Sequence, residues 1–243
     1  MMAPRLSPKV CSNTIGKIMA TSFDNPSETI KNAEQLLLEI LDITSEFEAK
    51  VRYKCREGCG TCCLKPTIEA QTIEMMPLAK HLIDCGRFEE IYEKLASSGD
   101  GPCEMFQAHE DGAEKGRCTA YEFRPSVCRL FGFSAVKKKV GPPQLVNCHW
   151  QKKLYPNELA QTQEAINAGM SVPIISEYRF QFQNIAASTV MGTPLPINQA
   201  LKTALEKQMM VQGYHSSEEV SPTELRLLTP GLTSDLHLEL SQN

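Results

Sequence analysis

Four cysteines stand within nine residues, Cys55-Arg-Glu-Gly-Cys59-Gly-Thr-Cys62-Cys63, and four more come later at Cys103, Cys118, Cys128 and Cys148. Deprotonated, each is a soft ligand of the kind that binds zinc or iron. The first 23 residues lack the continuous apolar stretch of a secretion signal, so a reducing, cytoplasmic setting is expected. Thiols at this density then point to metal ligation rather than to disulfides. Eight of them suffice for two four-thiolate zinc sites, or for one four-iron cluster ([4Fe-4S]) with four thiols left over. Cys62 and Cys63 pose a geometric problem of their own. Consecutive side chains point apart, so one of the two serves a second site or no site. Cys11 and Cys85 are set aside as non-ligand thiols.

The surroundings of the thiols matter because a thiolate gains from nearby positive charge. Arg52, Lys54, Arg56 and Lys65 surround the first group, and Arg124 and Arg129 bracket Cys128. Arg124 and Arg129 are therefore candidates to hold an anionic cofactor or substrate beside the metal. The plainer alternative is that they fix the loop that presents Cys128. His109 and His149 could each replace a thiolate, whereas His81 lies on a helix face and reads as structural. The spacing Cys55-x3-Cys59-x2-Cys62 is also that of radical S-adenosylmethionine enzymes. Those proteins usually carry an aromatic residue before the third cysteine, where this chain has Thr61, and they need alternating strands and helices that this sequence does not offer.

The second half of the pattern is more specific. The first group is succeeded by Pro102-Cys103-Glu-Met-Phe106, then by Cys118-Thr-Ala-Tyr121-Glu-Phe-Arg124-Pro125-Ser-Val-Cys128-Arg129-Leu-Phe131. Together these segments resemble the YkgJ-like cysteine-cluster family, over roughly residues 50–150. The resemblance implies chelation of zinc or iron by Cys55, Cys59, Cys62, Cys63, Cys103, Cys118 and Cys128, with Cys148 as a later position. The loop from Cys103 to Cys118 is longer than is usual in the family, and Gly132 stands where a proline is common. A more distant similarity to the cluster region of flagellin lysine methylases has no cofactor-binding motif to support it.

These residues need a scaffold, and the sequence offers mainly α structure: helices around a small, loop-rich, cysteine-organised core. Ile30, Ala33, Leu37, Ile40, Leu41, Ile43, Phe47 and Val51 predict a long amphipathic helix from Ser27 to about residue 53 that delivers the chain to Cys55. Further helices are expected from Thr72, as a cap, to Asp84, with Pro77 as a bend, and over 87–97, 157–168, 173–188 and 196–212. Residues 99–120 read as loop, and Lys137-Lys-Lys with Gly141-Pro-Pro as an exposed turn. The expected organisation is a flexible arm at 1–25, a cysteine-cluster domain at 26–150, a helical part at 151–214 that packs on it, and a disordered tail at 215–243.

Composition narrows the function. With 243 residues, 42% hydrophobic and 22% charged, the chain has the make-up of an ordinary globular protein. Its net charge of -4 supplies no general attraction for nucleic acid, and no run of about 20 apolar residues predicts a membrane helix. The first expectation is a metal-binding protein whose partner is a zinc or iron ion. The alternatives are an iron–sulfur-dependent redox or group-transfer enzyme, or a zinc-stabilised module that binds another protein through an apolar helix face within 151–214.

Overall fold

Ile30, Ala33, Leu37, Ile40 and Phe47 recur at helical spacing and form the buried stripe of α1 (Pro26–Lys50). Each large aliphatic on such a stripe contributes about 1.5–3 kcal/mol when fully buried. In this computed structural model the described residues are 26–99, 101–110, 112–186 and 189–218. The expected N-terminal arm and all of the tail beyond 218 lie outside them. The chain divides into two units, residues 1–205 and 206–243, and the cysteine cluster belongs to the first.

The first unit is mainly helical, as expected. α2 (Thr72–Asp84) continues through Pro77, α3 is Phe88–Ser98, and α7 is Ile175–Ile185. With α1 and the Ile197–Leu205 portion of α9 (Ile197–Glu218) they enclose the main hydrophobic core, in which Ile40, Ile73, Leu78, Phe182, Leu201 and Leu205 are almost wholly buried. A smaller core gathers Phe47, Tyr53, Phe133, Leu145 and Ile166, the last from α6 (Pro156–Asn167). Gln71 rather than Thr72 caps α2, and Thr72 is its first, fully buried residue.

Three short antiparallel ladders, none of them expected from the sequence, connect the helices. β1 (Glu69–Gln71) pairs with β6 (Pro194–Pro196) and ties the start of α2 to the start of α9. β2 (Phe106–His109) pairs with β3 (Gly112–Cys118), so the stretch expected to be loop between Cys103 and Cys118 is a hairpin. β4 (Ser134–Val136) and β5 (Gln144–Val146) flank the Lys137–Gly141 turn. Two short helices are likewise absent from the sequence-based expectation: α4 (Ser126–Leu130), which carries Cys128, and α5 (His149–Leu154), which begins just after Cys148. Among the described residues no helix is long and apolar enough to cross a membrane.

Candidate metal centre

Each cysteine is delivered by a different local device. After α1 the chain turns at Gly58, whose φ of +63° favours glycine, and Cys59 bridges to Lys115 of β3. The Gly116 N–H donates to Gly58 O at 2.9 Å. Gly60 is needed for a different reason: a Cβ there would stand 2.1 Å from the Phe106 ring. Phe106 thus lies against Gly60 on one side and Gly116 on the other, locking the first cysteine loop to the hairpin. Within the loop, the Leu64 and Lys65 N–H groups close back on Gly60 O and Cys62 O.

Cys103 is held from two directions. Its N–H donates to Cys63 O at 2.9 Å, which joins the two cysteine segments through the backbone. On either side of it, the buried Asn198 at the start of α9 accepts from the Glu104 N–H at 3.0 Å and donates to Pro102 O at 2.9 Å. Cys118 ends β3 opposite Phe106.

Cys128 depends on Glu74, a buried carboxylate on α2. Its Oε1 accepts from the Gln71 N–H at 3.0 Å and its Oε2 from the Ser126 N–H at 2.7 Å, so one side chain joins the first turns of α2 and α4. Burial holds the Glu74 pKa above the ordinary carboxylate value, with its hydrogen bonds to Ser126 and Gln71 acting in the opposite sense. Cys148 caps α5, its sulfur accepting from the Gln151 N–H at 3.4 Å. Gln151 is itself buried against Gly132, whose φ of +91° no proline could adopt.

All eight thiols are free, and all lie within electrostatic reach of one another as a connected set. Cys62 is the hub, since it acts on Cys55, Cys63, Cys103, Cys118 and Cys128. Its own pKa falls to about 6, chiefly because the Cys63 thiol donates a hydrogen bond to it, with Arg124 helping. Burial, and after it the neighbouring thiols, pushes Cys55 up to about 11. Burial does the same for Cys103, also to about 11, and raises Cys118 and Cys128 as well. Without a metal the pocket thus favours one thiolate and several neutral thiols, and a cation bound there would displace their protons.

The two arginines have separate roles. The Arg129 guanidinium is buried and donates to Arg124 O and Glu122 O, which fixes the turn ahead of Cys128. Arg124 lies over the Tyr121 ring at 3.6 Å and acts on Cys55, Cys62, Cys118 and Cys128. Its Nε is buried and has no hydrogen-bond partner among the described residues. An unused donor and a cation facing a set of thiols fit an anionic metal–thiolate group. Among the described residues no three His, Cys, Asp or Glu side chains stand in ready coordination geometry, so an ion would have to draw the sulfurs inward.

Among the described residues, His81, His109 and His149 stay outside the set of eight free cysteines. His109 is exposed on β2, His149 is exposed and packs on Trp150 at 4.8 Å between ring centres, and His81 stacks on Phe123. Arg56 lies over the Trp150 ring at 4.7 Å. Cys85 is disulfide-bonded rather than a free thiol. Glu74 and Asn198 have structural roles that the sequence does not announce. A lone acid inside an apolar helix stretch is the only available signal for the first, and nothing marks the second.

No curated protein and no solved structure matches the chain. A family model does match: residues 54–158 fit that of CxxCxxCC, described as "Putative zinc- or iron-chelating domain". The match begins one residue before Cys55 and takes in all eight free thiols, Arg124, Arg129 and α5. Residues 54–158 of this chain are thus similar to that family of domains, in agreement with the cysteine-cluster resemblance carried by the sequence.

Proposed function

We propose that this protein binds zinc or iron through thiolates drawn from Cys55, Cys59, Cys62, Cys63, Cys103, Cys118, Cys128 and Cys148, with Arg124 offsetting the negative charge that results. The observation that carries this reading is the connected set of eight free thiols, from segments as far apart as Cys55 and Cys148, with Arg124 acting on four of them and its buried Nε unpartnered among the described residues. Zinc on four thiolates carries a net charge of about -2, as does a doubly positive four-iron cluster on four cysteines, so a fixed cation beside the thiols is suited to either.

Purification without oxygen, then elemental analysis, tests the proposal. Bound zinc or iron is expected, and Cys128→Ser is expected to lower the metal content of a still-helical protein. A brown protein absorbing near ~400 nm would identify the iron–sulfur form, a colourless one with zinc the mononuclear form. A folded protein that holds neither metal, whether as isolated or after reconstitution, would overturn the proposal.

A further inference from the structure

Resting on that chelation reading, we propose that Arg56 and Trp150 form a latch that holds Cys148 to the Cys55 turn and slows the escape of a bound ion. Both act as positioning residues, and neither is a metal ligand.

Cys55 and Cys148 are the first and last of the eight free thiols. The thiols between them are joined to the first loop through the backbone. Cys103 donates its N–H to Cys63 O, and β3, which ends in Cys118, donates the Gly116 N–H to Gly58 O. Cys148 has no such tie. Among the described residues no hydrogen bond or ion pair runs from residues 55–63 to Cys148 or α5. What spans that gap is a ring contact: the Arg56 guanidinium lies over Trp150, 4.7 Å from the ring centre.

Each end of the contact is mounted on a cysteine turn. Arg56 O accepts from the Cys59 N–H at 3.2 Å, so Arg56 belongs to the turn that carries Cys55 and Cys59. Trp150 belongs to α5, and Cys148 caps that helix. The Cys148 sulfur accepts from the Gln151 N–H at 3.4 Å, and its own N–H donates to Gln151 Oε1 at 3.3 Å. A displacement of the ring therefore carries Cys148 with it. The other charged or aromatic neighbours of the ring, His149 at 4.8 Å and Lys153 at 5.4 Å, lie in α5 itself and bridge to nothing else. Trp150 Nε1 is buried and has no hydrogen-bond partner among the described residues. No hydrogen bond orients the ring, which leaves the stacked guanidinium as its polar tie to another segment. A guanidinium suits this role, since it stacks flat on an indole face and leaves its N–H groups to water. The latch lies beside Cys55, the exposed thiol of the set, where water and a competing chelator arrive first. Opening there is a local event that leaves the helical core intact.

The test uses the full chain, loaded with zinc without oxygen, and times zinc release to a chelator. Arg56→Gln and Trp150→Leu should each release zinc about three- to tenfold faster than the parent. The double variant should be no faster than Trp150→Leu alone, because both residues act through one contact. Lys54→Gln removes a neighbouring exposed cation that lies over no ring among the described residues, and should release zinc at the parent rate. Arg56→Lys, which keeps the charge and a poorer stack, should fall between. Iodoacetamide mapping of the zinc-loaded proteins should show Cys148 reacting faster in Arg56→Gln and Trp150→Leu, with Cys103 unchanged. Trp150 is the only tryptophan in the chain, so its fluorescence reports the latch without metal. In metal-free Arg56→Gln its emission should move to longer wavelength. Additive rates in the double variant, parent-like release by Trp150→Leu, equal effects of Lys54→Gln and Arg56→Gln, or an unmoved emission would each overturn the latch. A chain that takes up no zinc in any form would instead overturn the chelation reading, and the emission shift would then still show that the contact forms.

Discussion

Arg129 is buried with its guanidinium committed to two backbone carbonyls, whereas Arg124, five residues earlier, has its Nε unpartnered among the described residues. Arg124 stands four residues before Cys128 and Arg129 one after it, and neither position by itself tells the two roles apart. What separates them is which groups each meets in space. Their substitutions should therefore fail differently. Arg129→Lys keeps the charge but loses the fork that grips Glu122 O and Arg124 O, and should cost about 1–3 kcal/mol of stability in the metal-free protein. Arg124→Gln should change metal-free stability little, because the Tyr121 ring it covers is 61% exposed. It should weaken zinc binding roughly tenfold, the effect of removing one partly screened charge of ~1–2 kcal/mol beside an anionic centre. Denaturant melts of metal-free protein and competition against a zinc chelator measure the two. Equal effects of both substitutions on both quantities would show that Arg124 is only another structural residue. The cysteines themselves are legible in the sequence because their density is unusual in any soluble chain. Asn198 and Glu74 are not, because they position cysteine turns over separations of 94 and 52 residues and look like ordinary helix polars in the sequence.

Long helices with a steady apolar period are legible close to their true bounds, since periodic burial is written into consecutive residues. The β2–β3 hairpin is not, for a physical reason. Its first strand is largely exposed, with one half-buried residue and then three exposed ones, so it has no two-residue alternation to detect. What stabilises it is tertiary: the bridge from Cys59 to Lys115, the Gly116 bond to Gly58 O, and Phe106 against Gly60 and Gly116. This clasp makes an element-level prediction. Gly60→Ala drives a methyl into the Phe106 ring and should destabilise the protein by about 1–3 kcal/mol. Phe106→Leu should recover part of that loss, because only the ring stands in the way. Gly116→Ala should not be rescued by the same change, since its methyl would also stand 2.3 Å from the Gln107 carbonyl oxygen, which cannot move without breaking the hairpin. Thermal melts of the single and double variants supply the cycle. Additive losses for Gly60→Ala and Phe106→Leu would mean that the loop and hairpin are joined some other way.

At the scale of the molecule, the placement of the thiols relative to the core decides what metal removal does. A small zinc-dependent domain has too little apolar interior to fold alone, and its structural ion supplies the missing free energy. This chain differs, because α1, α2, α3, α7 and the first part of α9 close a core in which Ile40, Ile73, Phe182 and Leu205 are almost wholly buried. The thiols sit at the margin of that core, and Cys103, Cys118 and Cys128 only line it. Their segments are short turns and ladders joined by a few backbone hydrogen bonds, with several neutral thiols gathered together. Stripping the metal should therefore loosen a region, not unfold the protein. Hydrogen exchange read by mass spectrometry should show protection falling over residues 55–64, 103–118 and 124–131, while α1 and α2 remain protected and far-UV circular dichroism keeps most of its helical signal. Re-adding zinc should restore the lost protection without a slow refolding phase. A cooperative loss of the helical signal on chelation would mean that the metal holds up the whole first unit, and that the helical core is not self-sufficient.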